Sequence, residues 1–235
     1  MIKRNTTVNI LLFIGIFSTT VIVGQNKNNL QEKKIETLTA KNQKSIGTPE
    51  EALIELKNGN ERFLGNASIN TNYKAQIEAT KGDQYPHSII LSCIDSRIPP
   101  EIVFDQGIGN VFVARVAGNI QDPNILGSIE FATKVKGSKL IVVMGHNKCG
   151  AIKGAIENVQ LGNLTQLVNQ IKQAIPNEEM AADAKSTKTA FQNVKLTISS
   201  IIKNSQVIKE LVTEGKVKIV GAFYDVNSGK VIFSE

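Results

Sequence analysis

The chain has 235 residues, of which 41% are hydrophobic and 20% are charged, so it can bury the core of one fair-sized domain. Its formal net charge is +6, but the lysines are scattered and no cluster combines basic with aromatic side chains. This pattern argues against nucleic-acid binding and is typical of a solvated, lysine-rich surface.

The first 24 residues differ in composition from the rest of the chain. Lys3 and Arg4 precede an apolar stretch that runs from Ile10 to Val23. Its length suits the core of a secretory signal peptide and is short for a membrane-spanning helix. We therefore predict a cleaved signal peptide over residues 1–24 and an exported protein, in the periplasm, that keeps no stable membrane association. An uncleaved membrane anchor is the alternative.

Residues 25–46 are polar and lack a strong period, which predicts a linker or an N-terminal arm. A domain is predicted over residues 47–235. Its first helix begins at Thr48, which can act as the cap, and Pro49 suits the first helical position. The helix is expected to end near Gly65. The apolar side chains that it should turn toward the core are Ala52, Leu53, Leu56 and Phe63.

Three short apolar runs without alternation are typical of strands buried on both faces of a parallel sheet. They are Ser88–Cys93, Val111–Val116 and Lys139–Met144. Further strands are predicted over 216–223 and 231–233.

Helices are predicted between these strands, over 72–81, over 123–136 and over most of 163–214, with a break near Pro176. The buried stripe expected for the helix over 123–136 consists of Ile125, Ile129, Ala132 and Val135. Strands that alternate with helices predict an α/β fold with a mainly parallel central β-sheet flanked by helices.

Both cysteines and one of the two histidines follow predicted strands. Cys93 ends the first strand, and His146 and Cys149 lie in the segment after the third. Ligands collect at the carboxyl ends of strands in open α/β sheets. Thiolates and imidazole are zinc ligands, and three protein ligands leave one position open. We therefore predict a Zn²⁺ site, rather than a disulfide or a pair of inert core cysteines.

Asp95 and Arg97 lie close to Cys93 in sequence. Asp95 is either a conditional fourth zinc ligand or a hydrogen-bond partner of the metal-bound water. Arg97 is expected to hold Asp95 away from the metal through a paired contact. A plain surface ion pair is the alternative.

The pattern Cys-x-Asp-x-Arg, followed by His-x-x-Cys, resembles the β-class carbonic anhydrases. The resemblance covers roughly residues 48–235 and extends beyond the ligands. The stretches that carry it are 95–101 (DSRIPPE), 104–107 (FDQG), 113–119 (VARVAGN), 145–151 (GHNKCGA) and 221–226 (GAFYDV).

This resemblance implies reversible hydration of carbon dioxide to bicarbonate and a proton by a zinc-bound hydroxide. It implies that Cys93, His146 and Cys149 are the zinc ligands and that Asp95 and Arg97 are the catalytic pair. It also implies a homodimer or homotetramer with active sites near the subunit interface.

The same resemblance suggests three substrate-binding residues, namely Gln84, Phe112 and Gly150. Phe131 stands where many members of the family have a tyrosine, so the role of that hydroxyl cannot be transferred to this chain. Some members switch to an Asp-ligated zinc through a bicarbonate site that uses a tryptophan, and this chain has no tryptophan. The open form of the site is therefore expected. His87 is either a proton shuttle or a plain loop histidine.

Two other functions remain open at this point. One is hydrolysis of carbon disulfide or carbonyl sulfide on the same scaffold, and the other is binding of zinc or bicarbonate without turnover. The intact pair of Asp95 and Arg97 argues against the second.

Overall fold

The computed structural model describes residues 46–234, which form a five-stranded sheet with helices on both faces. The signal peptide predicted over 1–24 and most of the polar segment predicted over 25–46 lie outside the described residues. In chain order the elements are α1 Pro49–Leu64, α2 Tyr73–Thr80, β1 Ser88–Ser92, α3 Pro100–Val103, β2 Val111–Arg115, α4 Pro123–Glu130, β3 Leu140–His146, α5 Gly150–Ile156, α6 Gly162–Ile171, α7 Ala182–Asn204, α8 Gln206–Thr213, β4 Lys218–Tyr224 and β5 Val231–Ser234.

Helix α1 begins as the sequence predicts. Thr48 Oγ1 accepts a hydrogen bond from the backbone N–H of Glu51, and the Glu51 carboxylate accepts one from the backbone N–H of Thr48. Ala52, Leu53 and Leu56 are buried, whereas Phe63 is only half-buried. The reciprocal cap fixes where the helix begins, and its apolar face then packs on the sheet.

The strand order is β2-β1-β3-β4-β5, with β1 to β4 parallel and β5 antiparallel. This confirms the mainly parallel sheet. β1 and β3 are buried along their whole length, because successive side chains point to opposite faces and each face is covered by helices. Ile90 and Val142 face the layer that contains α1, α5 and α6, while Ile89 faces the layer of α4, α7 and α8.

Strand β2 was predicted to be buried on both faces, and this prediction is wrong for the single chain. Residues 111–114 are only partly buried and Arg115 is exposed. β2 lies at the edge of the sheet, so only one side of it has a neighbouring strand. An apolar run of this length does not distinguish an edge strand from a central one.

The stripe predicted for the helix over 123–136 also needs a correction. Ile129 and Ala132 are buried, but Val135 is 66% exposed. After Glu130 the chain continues in a wider, π-helical turn over Phe131–Val135, which changes the phase of the last residues. Gly137 then leaves the helix with a φ of +79°.

The carboxyl ends of β1 and β3 lie side by side, since Ser92 is in register with Met144. Cys93 follows β1 directly. His146 was predicted in a loop, but it forms the last residue of β3 and pairs with Tyr224 of β4. The predicted break in the long helical region near Pro176 is present, and a second break at Ser205 separates α7 from α8. No helix among residues 46–234 is both long and apolar enough to cross a membrane.

The contact between α1 and the segment after α3 generates a stability prediction. A Cβ at Gly59 would lie 1.8 Å from the backbone oxygen of Phe104, so Gly59→Ala should lower the free energy of unfolding by about 3 kcal/mol or more. Gly127 in α4 has open space around it, and Gly127→Ala should instead raise stability by about 0.5–1 kcal/mol. Urea unfolding of the two variants measures both. Equal stability of the two variants would contradict the packing described here.

Candidate metal centre

Three potential metal ligands meet at the carboxyl edge of the sheet. The sulfur atoms of Cys93 and Cys149 and a ring nitrogen of His146 all lie within 4.8 Å of one another, and all three residues are buried. The two Sγ atoms are 3.9 Å apart and both cysteines are free. The structure thus places the three predicted ligands together and does not join the two cysteines in a disulfide.

The orientation of His146 is fixed by its own loop. Nδ1 lies 2.8 Å from the backbone oxygen of Asn147, and a carbonyl can only accept, so Nδ1 carries the proton. Nε2 is therefore the free lone pair. It is buried and has no hydrogen-bond partner in the described part of the chain. An unpartnered buried ring nitrogen beside two thiols is what a metal ion would satisfy.

The surroundings of Cys93 favour a thiolate. Its sulfur accepts a hydrogen bond from the backbone N–H of Gly118 at 3.3 Å. Hydrogen bonds from the Cys149 thiol and from the Gly118 N–H lower the pKa of the Cys93 thiol to about 4. Gly118 has a φ of +70°, which glycine adopts without strain, and this turn directs its N–H at the sulfur.

Asp95 and Arg97 form the predicted pair beside the three ligands. Arg97 donates from its backbone N–H and from Nε to Asp95 Oδ1, at 3.0 and 2.9 Å, and from a terminal nitrogen to Oδ2 at 2.7 Å. These contacts lower the pKa of the Asp95 carboxyl to about 2. Asp95 does not belong to the cluster of Cys93, His146 and Cys149, whose ligand atoms lie within 4.8 Å of one another. The structure thus shows the carboxylate bound to arginine.

Arg115 and Gly118 belong to the motif over 113–119, but the sequence assigned no role to either. Arg115 donates from Nε to the backbone oxygen of Cys93 at 3.0 Å and from a terminal nitrogen to that of Asp95 at 2.6 Å. It therefore holds the segment that carries Cys93. In the sequence, the only indication of this role was that Arg115 ends a predicted strand, as Cys93 does.

Of the three predicted substrate-binding residues, only Gly150 lies next to the cluster of its own chain. Gln84 lies in an exposed loop before β1. That loop lies at the amino edge of the sheet, because Pro86 accepts a hydrogen bond from Ser138, just before β3, and Asp83 pairs with Lys136. Gln84 therefore lies at the other end of β1 from the cluster of its own chain, and its role in substrate binding stays a prediction.

Phe112 and Gly150 lie in different surroundings. Phe112 is in register with Ile89, near the start of β1, and packs edge-on against Phe131 with ring centroids 6.1 Å apart. Phe112 thus lies near the amino end of β1, away from the cluster of its own chain, and its role in substrate binding stays a prediction. Gly150 follows Cys149 at the start of α5, and among residues 46–234 no atom outside its own helix and chain neighbours lies within 4 Å of where its Cβ would be. Its role in substrate binding stays a prediction.

His87 is not placed to shuttle protons for this cluster. It is 4% exposed and precedes β1 at the amino edge of the sheet. Nε2 lies 3.1 Å from Gln106 Oε1 and Nδ1 lies 2.8 Å from Ser88 Oγ, so both ring nitrogens have partners. Burial lowers the pKa of His87 and favours its neutral form. The structure thus favours the second alternative, a loop histidine before the first strand, and this histidine is buried.

Comparison with known proteins supports this reading of the site. The family model for carbonic anhydrase matches residues 88–231, which include all three cluster residues. Carbonic anhydrase 2 of Mycobacterium tuberculosis is 34% identical over 196 residues, which cover 80% of this chain and 93% of the relative. The carbonic anhydrase of Mycolicibacterium smegmatis is 33% identical, with 78% and 92% covered.

Solved structures with a similar fold are also carbonic anhydrases. The β-carbonic anhydrase CafA of Aspergillus fumigatus has a TM-score of 0.65 and 26% identity, covering 74% of this chain and 88% of its own. One of the two tetrameric β-carbonic anhydrases of Sordaria macrospora has a TM-score of 0.63 and 25% identity, covering 75% and 93%. This chain therefore belongs to the β-carbonic anhydrase family.

The two histidines provide a matched test of the metal centre. His146→Asn removes the free Nε2 and should reduce the metal content of the purified protein from about one ion per chain to well below half. His87→Asn removes a buried histidine that lies away from the cluster and should leave the metal content of the folded protein unchanged. Elemental analysis of the folded fraction measures both. Similar metal loss in the two variants, or none in either, would contradict the assignment.

Proposed function

We propose that this chain is a zinc enzyme that converts carbon dioxide and water reversibly to bicarbonate and a proton. The observation that carries the proposal is the buried cluster of Cys93, His146 and Cys149, with an unpartnered imidazole nitrogen. Membership of the carbonic anhydrase family supports it.

The donor set suits zinc better than magnesium or calcium, which prefer oxygen ligands. Cys93, His146 and Cys149 would hold the ion. When bound, zinc would act as a Lewis acid and make water more acidic. Two thiolates balance the charge of a divalent cation, so the bound ion needs no further anionic ligand.

Asp95 and Arg97 then have separable roles. Arg97 donates two hydrogen bonds to Oδ1 of Asp95 and one to Oδ2, so Oδ2 has lone-pair capacity left. An ionised carboxylate only accepts hydrogen bonds, so Asp95 can orient a water molecule by accepting from it. Arg97 keeps that carboxylate directed to itself and thereby away from the ligand atoms.

Export and assembly are part of the same proposal. Lys3 and Arg4 before the apolar stretch support export to the periplasm, where the enzyme would interconvert carbon dioxide and bicarbonate. The two Sordaria macrospora β-carbonic anhydrases are tetrameric, which supports a homodimer or homotetramer. The half-buried apolar strand β2, at the sheet edge, offers a surface for a second copy.

Stopped-flow measurement of carbon dioxide hydration tests the reaction. The protein that begins at residue 25 should accelerate hydration, lose the activity after treatment with a zinc chelator, and regain it when zinc is returned. Carbonyl sulfide under the same conditions tests the hydrolase alternative. Full zinc occupancy without hydration of carbon dioxide would overturn the proposal.

Arg97→Ala tests the role of the pair. It removes both side-chain hydrogen bonds to the Asp95 carboxylate, so the carboxylate becomes free to turn to the metal, and the hydration rate should fall by about 100-fold or more. The zinc content should remain that of the unaltered protein, because no ligand is lost.

Lys153→Ala is the matched control for this prediction. Lys153 of α5 is exposed and pairs with Glu157, the residue after the helix, so removing its charge should leave the rate unchanged. An Arg97→Ala variant as active as Lys153→Ala would show that the pair is only a surface contact.

A further inference from the structure

The segment that carries His146 and Cys149 lies against a second segment far away in sequence. His146 ends β3 and pairs with Tyr224, the last residue of β4. The turn between β4 and β5, residues 225–230, therefore begins beside the residues that connect His146 to Cys149. We call residues 225–230 the β4–β5 turn.

The side chain of Asn147 joins the two segments. Its Nδ2 donates to Asp225 Oδ1 at 2.6 Å, and its Oδ1 accepts from the backbone N–H of Val226 at 2.8 Å. Asn147 is half-buried, and its amide uses both its donor and its acceptor on the same turn. This two-point contact defines the position of the Asn147 backbone more strictly than a single hydrogen bond would.

The β4–β5 turn is itself firmly held. Asp225 Oδ1 also accepts from the backbone N–H of Asn227 at 3.0 Å, and Oδ2 accepts from Ser228 Oγ at 2.7 Å. Asn60 of α1, 3% exposed, donates to the backbone oxygen of Gly229 and accepts from the N–H of Val231. The turn is thus tied to the helical layer as well as to the sheet.

The backbone of Asn147 carries the group that orients the imidazole. Its carbonyl accepts the Nδ1 proton of His146, which leaves Nε2 free toward the two sulfur atoms. The next residue, Lys148, has a φ of +53°, an uncommon conformation for a residue with a side chain, and its Nζ reaches Asn227 Oδ1 at 2.7 Å. The conformation of the connecting segment therefore depends on contacts with the turn.

We infer that Asn147 is a positioning residue for the metal centre, which acts by fixing the His146 imidazole against the β4–β5 turn through Asp225 and Val226. Partners of a ligating histidine set its tautomer and ring direction, and their loss weakens metal binding about 10–100-fold. The inference rests on the metal site of the proposed function, but not on the reaction catalysed there.

The alternative is that the contact only joins two loops and adds to stability. In that case its loss would lower the melting temperature of the metal-free protein without changing the metal site. Measuring metal binding and the stability of the metal-free protein on the same variants distinguishes the positioning role from a purely stabilising contact.

The experiment compares Asn147→Ala with Ser228→Ala in the full domain. Ser228→Ala removes the hydrogen bond to Asp225 and the one that Ser228 Oγ accepts from the Lys230 N–H, and it leaves both contacts of Asn147 in place. Zinc dissociation constants come from competition with a chromophoric chelator. The ligand field comes from the visible absorption of the cobalt-substituted proteins, and thermal unfolding is followed on the metal-free forms. Asn147→Ser, too short to bridge both partners, replaces Asn147→Ala if the latter does not fold.

We expect Asn147→Ala to weaken zinc binding about 10–100-fold and to shift the cobalt absorption bands, whereas Ser228→Ala changes neither. Unaltered affinity and bands in Asn147→Ala would overturn the inference, as would equal effects in the two variants. If the unaltered protein binds no zinc, the proposed function fails with it. If the unaltered protein binds zinc and Asn147→Ala binds it equally well, only the inference fails.

Discussion

The parallel pairing of β1 with β3 is the constraint on which the site depends. It sets Ser92 beside Met144. Cys93, the residue after β1, therefore lies next to the carboxyl end of β3, which is His146. Helices cover both faces of these strands, and their buried aliphatic side chains leave no freedom to slip in register. A slip of one residue would turn every side chain of β1 to the other face and remove Cys93 from the cluster.

Electrostatics at the carboxyl edge follow from that geometry. Two thiols 3.9 Å apart share their protons unequally, and the hydrogen bonds to Cys93 favour its ionised form. A divalent cation would favour ionisation of both. Two arginine side chains hold the neighbouring segment by hydrogen bonds. Arg97 donates to the Asp95 carboxylate, and Arg115 donates to the backbone oxygens of Cys93 and Asp95. The site thus combines soft ligands with a carboxylate that is held apart from them.

Local signals predicted much of this fold from the sequence. The reciprocal cap of Thr48 and Glu51 is decided within four residues, and the buried runs of β1 and β3 are evident without knowledge of their neighbours. The edge position of β2 could not be predicted in the same way, because it depends on strand order. The exposure of Val135 depends on a π-helical turn, and no residue type in this segment predicts such a turn.

The same division applies to the site. Cysteine and histidine at strand ends indicated a metal centre, because those side chains have few other uses in that combination. The position of Gln84 at the opposite edge of the sheet, and the contact of Asn147 with Asp225, depend on how distant segments pack. Asn147 and Asp225 are 78 residues apart, and neither residue type alone indicates a partner. Such contacts become visible only once β3 and β4 are placed side by side.

X-ray absorption at the zinc edge of the purified, zinc-loaded protein tests the metal centre most directly. We expect two sulfur neighbours at about 2.3 Å and nitrogen or oxygen neighbours at about 2.0–2.1 Å, with the sulfur signal lost when Cys93 and Cys149 are both replaced by serine. A zinc environment made only of nitrogen and oxygen in the unaltered protein would contradict it.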